Sequence, residues 1–387
     1  MRSSRSANQI GPTTPTTSSA ALLMSAFAEL LTGLAHALDG IGPPVEVTAD
    51  GNIVDRSDVL ERFAQAAVVV RTSGSTGTPK QTVLSAAALQ ASATATADYL
   101  GFAGQWLLTL PVNYVAGLAV LTRSLLAGHT PKVLPAGSFT ADSFIAGAAQ
   151  LDAERTLVSL VPTQLQRILQ DPAATKSAAT IDAILVGGGP IHEHLYQQAQ
   201  QEGLRIVRTY GMAETCGGCV YDGRPLPGVD VKIDDEQRVC LSGPMLAEGY
   251  VDPQLDAERF LRLNDQRYYL TDDQGSFTDG LLRVTGRIDD VINTGGIKVS
   301  AATVQAALAK HTHAEVVVIG VPDEQWGTKV CVAIEDLHAD TAELARLAAG
   351  DLPAEALPKD WLRTEALPRL STGKVDRVEL RRHFQKG

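Results

Sequence analysis

RTSGSTGTPK, residues 71–80, follows the apolar run AAVVV and decides how this chain is read. Gly74 and Gly77 free the backbone to curl so that several N–H groups converge. Thr72, Ser73, Ser75, Thr76 and Thr78 add hydroxyls, and Lys80 adds a cation. Converging donors beside a positive charge make a cradle for an anion, and a polyphosphate is its natural occupant. This is not a Walker-type loop, because Pro79 precedes the lysine and Gln81 follows it. A flexible polar hairpin is the alternative. Beyond the loop, QTVLS reads as a second strand, with Ser85 placed to cap the helix AAALQASATATADYL.

Composition narrows what the loop serves. The chain has 387 residues, 44% of them hydrophobic, enough for two or three folding units at about 150 residues each. Its net charge of -11 gives no basic field to capture nucleic acid or an anionic membrane. Residues 1–19 are rich in Ser, Thr and Pro and lack the apolar centre of a signal peptide, so a disordered tail is expected there. AALLMSAFAELLTGLAHAL then reads as a packed amphipathic helix, interrupted by Glu29 and His36, with no stable membrane insertion. With four cysteines and no export signal, the expected compartment is the reducing cytoplasm. Cys216 and Cys219 form a C-x-x-C, but a structural zinc needs four ligands and no second pair exists; two thiols on a glycine-rich loop is the simpler reading.

Strand and helix patterns alternate along the middle of the chain: TLVSLV before PTQLQRILQ, DAILVG before PIHEHLYQQAQQEG, then LRIVRTYG. That spacing predicts βαβ units and parallel strands covered by helices, an α/β class. Gly187, Gly188 and Gly189 follow a strand, where α/β sheets place ligands, although a plain tight turn also fits; Pro190 is expected at the first helical position. From about residue 240 the texture changes to short strands and turns. The last stretch predicts a separate α+β unit: helix AATVQAALAKH, strands AEVVVIGV and KVCVAIE, helix TAELARLAAG and a basic tail.

The loop resembles the signature of the AMP-forming acyl-CoA synthetase superfamily, and further matches follow in the family's order from about Val68 to Arg377. The resemblance implies a large N-terminal ATP- and acyl-binding domain over 20–288, of mixed sheets covered by helices, and a small mobile α+β domain over 289–387. TYGMAETCGG resembles the motif in which an aromatic ring flanks adenine and a glutamate holds magnesium, here Tyr210 and Glu214, with Thr209, Gly211, Gly188 and Gly189 as further nucleotide contacts. A carboxylate beside a triphosphate is a hard ligand for Mg²⁺. YYLTDDQG resembles Y-x-T-G-D-x-G, so Asp273 would grip the ribose, while Asp272 replaces the usual glycine. GRIDDVINTGG implies Arg287 on the ribose, Asp289 as the hinge, and Gly295 and Gly296 against the pantetheine arm of coenzyme A. In LPRLSTGKVDR, Lys374 matches the lysine that reaches the active site during adenylation, where an ammonium offsets charge on the α-phosphate.

Within the superfamily the chain most resembles the o-succinylbenzoate-CoA ligases of menaquinone biosynthesis, through LPVNYVAGLAVL, ILVGGGPI and DGRPLPGVDVKIDDEQRVCLSGPMLAEGY. The expected substrates are therefore ATP, coenzyme A and a small carboxylic acid with a ring and two carboxylates. Tyr114, Gly117, Thr215, Gly217 and Gly218 fall where the family's acyl pocket lies, the glycines leaving room for a ring. Arg123 is a candidate cation for the unreacted carboxylate, or else faces solvent. Three departures stand out: Tyr114 in place of a histidine, Ala213 in place of a threonine, and a short region upstream of the loop, which leaves a homodimer of the family's kind an open expectation. Another aryl- or acyl-CoA ligase, a stand-alone enzyme loading a carrier protein and a non-catalytic nucleotide-binding regulator are the competing readings, the last opposed by retention of Glu214, Asp273, Arg287 and Lys374.

Overall fold

The computed structural model describes residues 17–72, 79–135, 137–370 and 375–386, with side chains from 25 to 385. Ser73, Gly74, Ser75, Thr76, Gly77 and Thr78 of the loop, Lys374 with the three residues before it, and the expected tail as far as residue 16 lie outside the described residues. The first helix begins at Thr17 and runs to Leu38, so residues 17–19 belong to it rather than to a tail.

Continuous apolar runs become strands where both faces of a sheet are covered. Gln105–Leu108, Thr156–Leu160 and Ala183–Val186 are such runs. With Lys132–Val133 and Ile206–Met212 they form the parallel body of a seven-stranded sheet, closed at one edge by the antiparallel strands Gly217–Tyr221 and Arg224–Pro225. One core contains Trp106, Leu108, Leu118, Leu121 and Tyr221. A second contains Phe144, Leu160, Leu165, Ile168 and Ala199. The βαβ reading therefore holds, with one adjustment. The helix after the triple glycine starts at Glu193, with His192 as N-cap, so Pro190 precedes it rather than opening it. Gly188 turns the chain at φ +81° and Ile191 packs against the second core, which delays the helix.

The hairpin that carries residues 73–78 belongs to a five-stranded sheet. Ala66–Thr72 pairs antiparallel with Lys80–Ser85, and Ser85 Oγ accepts from Ala88 N at 3.3 Å to cap the helix Ala86–Leu100. Val45–Val47 lies parallel to Ala66–Thr72 and places the buried Glu46 opposite Val69. Arg71 shares that face, so both it and Arg56 reach the Glu46 carboxylate, Arg71 Nη2 at 3.3 Å and the closer contacts through Arg71 Nε and Arg56 Nη1. Asp58 holds Arg56 from the other side at 2.8 Å. The root of the loop is thus anchored by charge as well as by pairing.

A third sheet contains Arg238–Ser242, Gln266–Thr278 and Leu281–Arg287. The turn Ile288–Asp290 leads from it into a fourth, whose strands lie between residues 291 and 363. Helices Ala301–Ala309 and Thr341–Ala348 contribute Val304, Leu308 and Leu344 to the core on one face. On the other, Leu380 and Phe384 pack against Val317, Ile319 and Cys331, so the basic tail is a helix, Arg377–Lys386. The added strand Asp360–Arg363, parallel to Gly327–Ile334, carries too little apolar pattern to be read in advance. Among the described residues no helix is long and apolar enough to cross a membrane.

Replacing Glu46 by Ala leaves two guanidinium groups facing each other. Removing one member of a buried charge pair costs about 3–5 kcal/mol, but Asp58 still neutralises Arg56 and Arg71 reaches water, so a loss of about 2 kcal/mol in urea denaturation is expected. A loss below about 0.5 kcal/mol would show that the anchor contributes little.

Candidate active site

Tyr210 sits toward the end of the strand Ile206–Met212, next to the turn that carries Glu214. Its hydroxyl donates to Asp273 Oδ2 at 2.7 Å. Asp273 lies opposite Arg287 in the register of the hairpin formed by Gln266–Thr278 and Leu281–Arg287, and Arg287 Nη1 is 3.4 Å from its Oδ1. The same guanidinium holds Asp289 with two hydrogen bonds of 2.8 Å and stands 3.7 Å from Asp272. One cation therefore connects the sheet to the turn that leaves it.

These contacts set the protonation states. Burial pushes the Asp273 carboxyl above its ordinary range, against the Tyr210 hydrogen bond and the charge of Arg287. Burial also opposes ionisation of Asp289, yet the Arg287 hydrogen bonds and charge, with Lys80 contributing, hold its pKa below the ordinary value. The Asp289 hydrogen bond raises Arg287, and burial raises the Tyr210 phenol, which remains a donor. Asp272 also pairs with Arg259 at 2.6 Å and lies 3.8 Å from Arg238. Here the departure from glycine supplies an ion-pair hub.

Glu214 stands on the 3-10 turn Ala213–Thr215 and is buried. Its carboxylate accepts from the Tyr250 hydroxyl, which lies 3.2 Å from that of Tyr269. Burial first and the Glu214 charge second keep the Tyr250 phenol protonated. Lys80 Nζ lies 5.9 Å from the Tyr250 ring, so the root of the phosphate loop and the Glu214 turn converge on one tyrosine. Among the described residues no group of three His, Cys, Asp or Glu side chains is arranged to hold a metal. Glu214 offers a single hard oxygen donor, which fits Mg²⁺ carried on phosphates, an ion that keeps several waters and takes one or two carboxylates.

The candidate glycines separate into those that serve the chain and those that leave space. A Cβ on Gly117 would lie 2.2 Å from the Pro111 carbonyl, and one on Gly211 would lie 2.0 Å from that of Gly217. On Gly218 it would meet the Tyr221 ring at 2.7 Å. The expectation that Gly117 and Gly218 make room for a ring is corrected: protein atoms fill those spaces. Gly217, at φ +104°, is different, with Ala119 at 3.5 Å and Arg123 Nη2 at 3.9 Å as its nearest neighbours. Gly188 has Val161 at 3.4 Å, and Gly189 faces open space. Gly295 turns at φ +55° against the Trp326 ring, and Gly296 at φ +84° is open on its Cβ side.

Thr209 lies beside Gly187, and its Oγ1 donates to the Val186 carbonyl at 3.3 Å. Thr72 closes its strand opposite Lys80. Tyr114 precedes the helix Val115–Leu126 as its N-cap, and Thr215 is fully buried, with Oγ1 2.7 Å from the Gly217 carbonyl. Arg123 does not face solvent. It is buried between the Trp106 ring, 5.4 Å from the guanidinium carbon, and the Tyr221 hydroxyl, 3.3 Å from Nη2. Cys216 and Cys219 are free and fully buried, and burial pushes the Cys219 thiol up to about 12, against the thiolate that redox or metal chemistry needs. The residues flanking Lys374 are tied down on both sides: Arg369 pairs with Val375 as an isolated bridge, and Arg377 forms a 2.9 Å ion pair with Asp290, next to Asp289.

Residues 34–251 match the family model for the AMP-binding enzyme, and 303–374 match that for the AMP-binding enzyme C-terminal domain. The chain belongs to the AMP-binding enzyme family. Its fold is the adenylate-forming one, with a large N-terminal and a smaller C-terminal part. A relative in Mycobacterium tuberculosis strain H37Rv, named probable 2-succinylbenzoate–CoA ligase, is 40% identical over 372 residues, covering 93% of this chain and 96% of the relative. The 2-succinylbenzoate–CoA ligase of Escherichia coli K12 is 31% identical over 328 residues, 81% of this chain and 68% of its own. Among solved structures, o-succinylbenzoate CoA synthetase from Bacillus subtilis in complex with the acyl-adenylate intermediate OSB-AMP superposes with a TM-score of 0.69 at 27% identity, covering 81% of this chain and 69% of that one.

Sequence reasoning missed Arg259, Tyr250 and Tyr269 because their partners are distant in the chain. Arg287→Met tests the cluster. Asp289, depressed when folded, contributes stability that is present above its unfolded value of 3.8 and lost as pH falls through its folded value; Asp273, raised, becomes costlier to ionise without the cation. The substitution is thus expected to destabilise by about 1 kcal/mol near pH 7, discounted because Arg287 is nearly half exposed, and by much less near pH 2.5, below the unfolded value. Urea melts at the two pH values check this, and equal losses at both would refute it.

Proposed function

We propose that this chain activates o-succinylbenzoate with ATP to an acyl-adenylate and then transfers the acyl group to coenzyme A. The observation that carries this reading is the Tyr210–Asp273–Arg287–Asp289 chain of contacts, which joins a ring, a carboxylate and a cation. The nearly full-length relative named as a probable ligase of that acid supports the choice of substrate.

The platform's roles follow from its chemistry. Tyr210 offers a ring to the adenine, and Asp273 accepts from ribose hydroxyls while Arg287 fixes its orientation. Thr72, the residues of 73–77 and Lys80 take the phosphates. In the first half-reaction a carboxylate oxygen bonds to the α-phosphorus, the bond from that phosphorus to the bridging oxygen breaks, and pyrophosphate leaves. Glu214 is the carboxylate that would hold Mg²⁺ with the phosphates, an ion that supplies charge neutralisation at the departing pyrophosphate. Lys374 brings an ammonium to the α-phosphate, where two anions must meet. In the second, the CoA thiolate attacks the acyl carbon and AMP leaves, with the Gly295–Gly296 loop beside the pantetheine arm. Only the first half needs Lys374, which is the reason for a hinge at Asp289. Four free, buried thiols fit a reducing, cytoplasmic setting.

Two measurements test this. With Mg-ATP and CoA, mass spectrometry is expected to find the CoA thioester of o-succinylbenzoate, and labelled pyrophosphate is expected to exchange into ATP only when that acid is present. Lys374→Ala is expected to lower the exchange by about 100-fold or more while sparing thioester formation from supplied acyl-adenylate. Equal loss of both half-reactions would remove Lys374 from this role, and absence of exchange would remove the function.

A further inference from the structure

A buried carboxylate is normally met by a guanidinium or an ammonium, because an unpaired charge out of water is costly. Glu214 is buried, yet among the described residues no Lys or Arg forms an ion pair with it. What meets it is a neutral phenol. The Tyr250 hydroxyl donates to Oε1, and among the described residues no donor reaches Oε2. A basic partner orients a carboxylate and cancels its charge, whereas a hydroxyl orients it and leaves the charge in place.

Tyr250 is itself firmly held. It lies in the short strand Gly249–Tyr250, opposite Thr82 of Lys80–Ser85, and is fully buried. Its N–H donates to Asp256 Oδ1 at 2.9 Å, its carbonyl accepts from Arg62 Nη1 at 3.0 Å, and its ring meets Phe260 and Tyr269 edge-on. The Glu214 carbonyl accepts from Ala247 N at 2.9 Å, which ties the 3-10 turn to the segment leading into Tyr250. Lys80 stands two residues before Thr82, on the strand face that Thr82 shares with Tyr250, and its ammonium lies 5.9 Å from the Tyr250 ring. An ammonium and a carboxylate from different sheets thus converge on one neutral side chain, and they form no ion pair with each other among the described residues.

We infer that Tyr250 is a positioning residue for the phosphate end of the nucleotide site: its hydroxyl aims Glu214, its ring carries Lys80, and it keeps the two charges from cancelling each other. The inference rests on the reading given under Proposed function and deepens it. Lys80 remains available to phosphate, and Oε2 of Glu214 remains available to a divalent cation borne on the phosphates.

The test measures nucleotide binding without turnover, by calorimetry on the full-length chain with ATP and no acid present, once in excess Mg²⁺ and once in EDTA. Tyr250→Phe keeps the ring and removes the hydroxyl. It is expected to weaken binding about 10-fold in Mg²⁺ and less than about 2-fold in EDTA, the effect of losing one hydrogen bond to a charged group that acts only through the cation. A merely structural role moves both affinities alike, so equal weakening overturns the inference, and so does unchanged binding in Mg²⁺. Should Tyr250→Phe fail to fold, Glu214→Asp keeps the charge but draws it back from the phenol by one methylene; a loss of about 10-fold confined to Mg²⁺ is expected, and unchanged binding overturns the inference equally. If the wild type binds ATP alike in Mg²⁺ and in EDTA, the Tyr250 assignment fails while the ligase reading, judged by thioester formation, stands. If it binds ATP under neither condition, both fail.

Discussion

Arg287 is the interaction on which the arrangement depends. It lies within ion-pair distance of Asp272, Asp273 and Asp289, at the place where the third sheet gives way to the turn leading into the fourth. Three carboxylates this close repel one another, and a single planar cation makes their proximity tolerable. Fixing Arg287 fixes Asp273, and Asp273 accepts from the hydroxyl of Tyr210, which lies in the seven-stranded sheet. Parts of the molecule that share no strand are thereby held to a common geometry.

On the proposed reading, the same cation has a second consequence. A hinge at Asp289 is held by two hydrogen bonds to a side chain that remains with the third sheet, so rotation there either breaks those bonds or carries Asp289 with the guanidinium. Arg377 reaches Asp290 beside it, from the helix that follows Lys374. The segment bearing the adenylation lysine is thus coupled to the residues about which it would swing. Position of the lysine and state of the hinge are one variable rather than two.

Much of this was legible in the sequence because burial on both faces of a parallel sheet leaves an unbroken apolar record, as in AILV and TLVSL. The grouping of Tyr210, Asp273, Arg287 and Asp289 was legible because these residues lie in short motifs, where spacing along the chain stands in for spacing in space. What escaped was long-range charge and close packing. Glu46 looked like an ordinary strand carboxylate until Val45–Val47 was set parallel to the loop strand, putting it against Arg71. Arg259 finds Asp272 only once their hairpin closes. Gly117 read as space for a ligand, but a helix entering so near the Pro111 carbonyl needs the same residue type for a different reason. Composition cannot separate a glycine that admits a ligand from one that admits the chain.

Charge satisfaction makes that separation where residue type cannot. Glu46 and Arg123 are both buried ions on the large part of the molecule. Glu46 is saturated: two arginines meet its carboxylate, and Asp58 completes the balance on one of them. A charge so neutralised within the chain has its function in the chain. Arg123 is covered by a ring and touched by one hydroxyl, leaving a donor with nothing to give to. Folding alone gives no reason to keep a guanidinium there, since Met would fill the same space against Trp106 without the desolvation penalty.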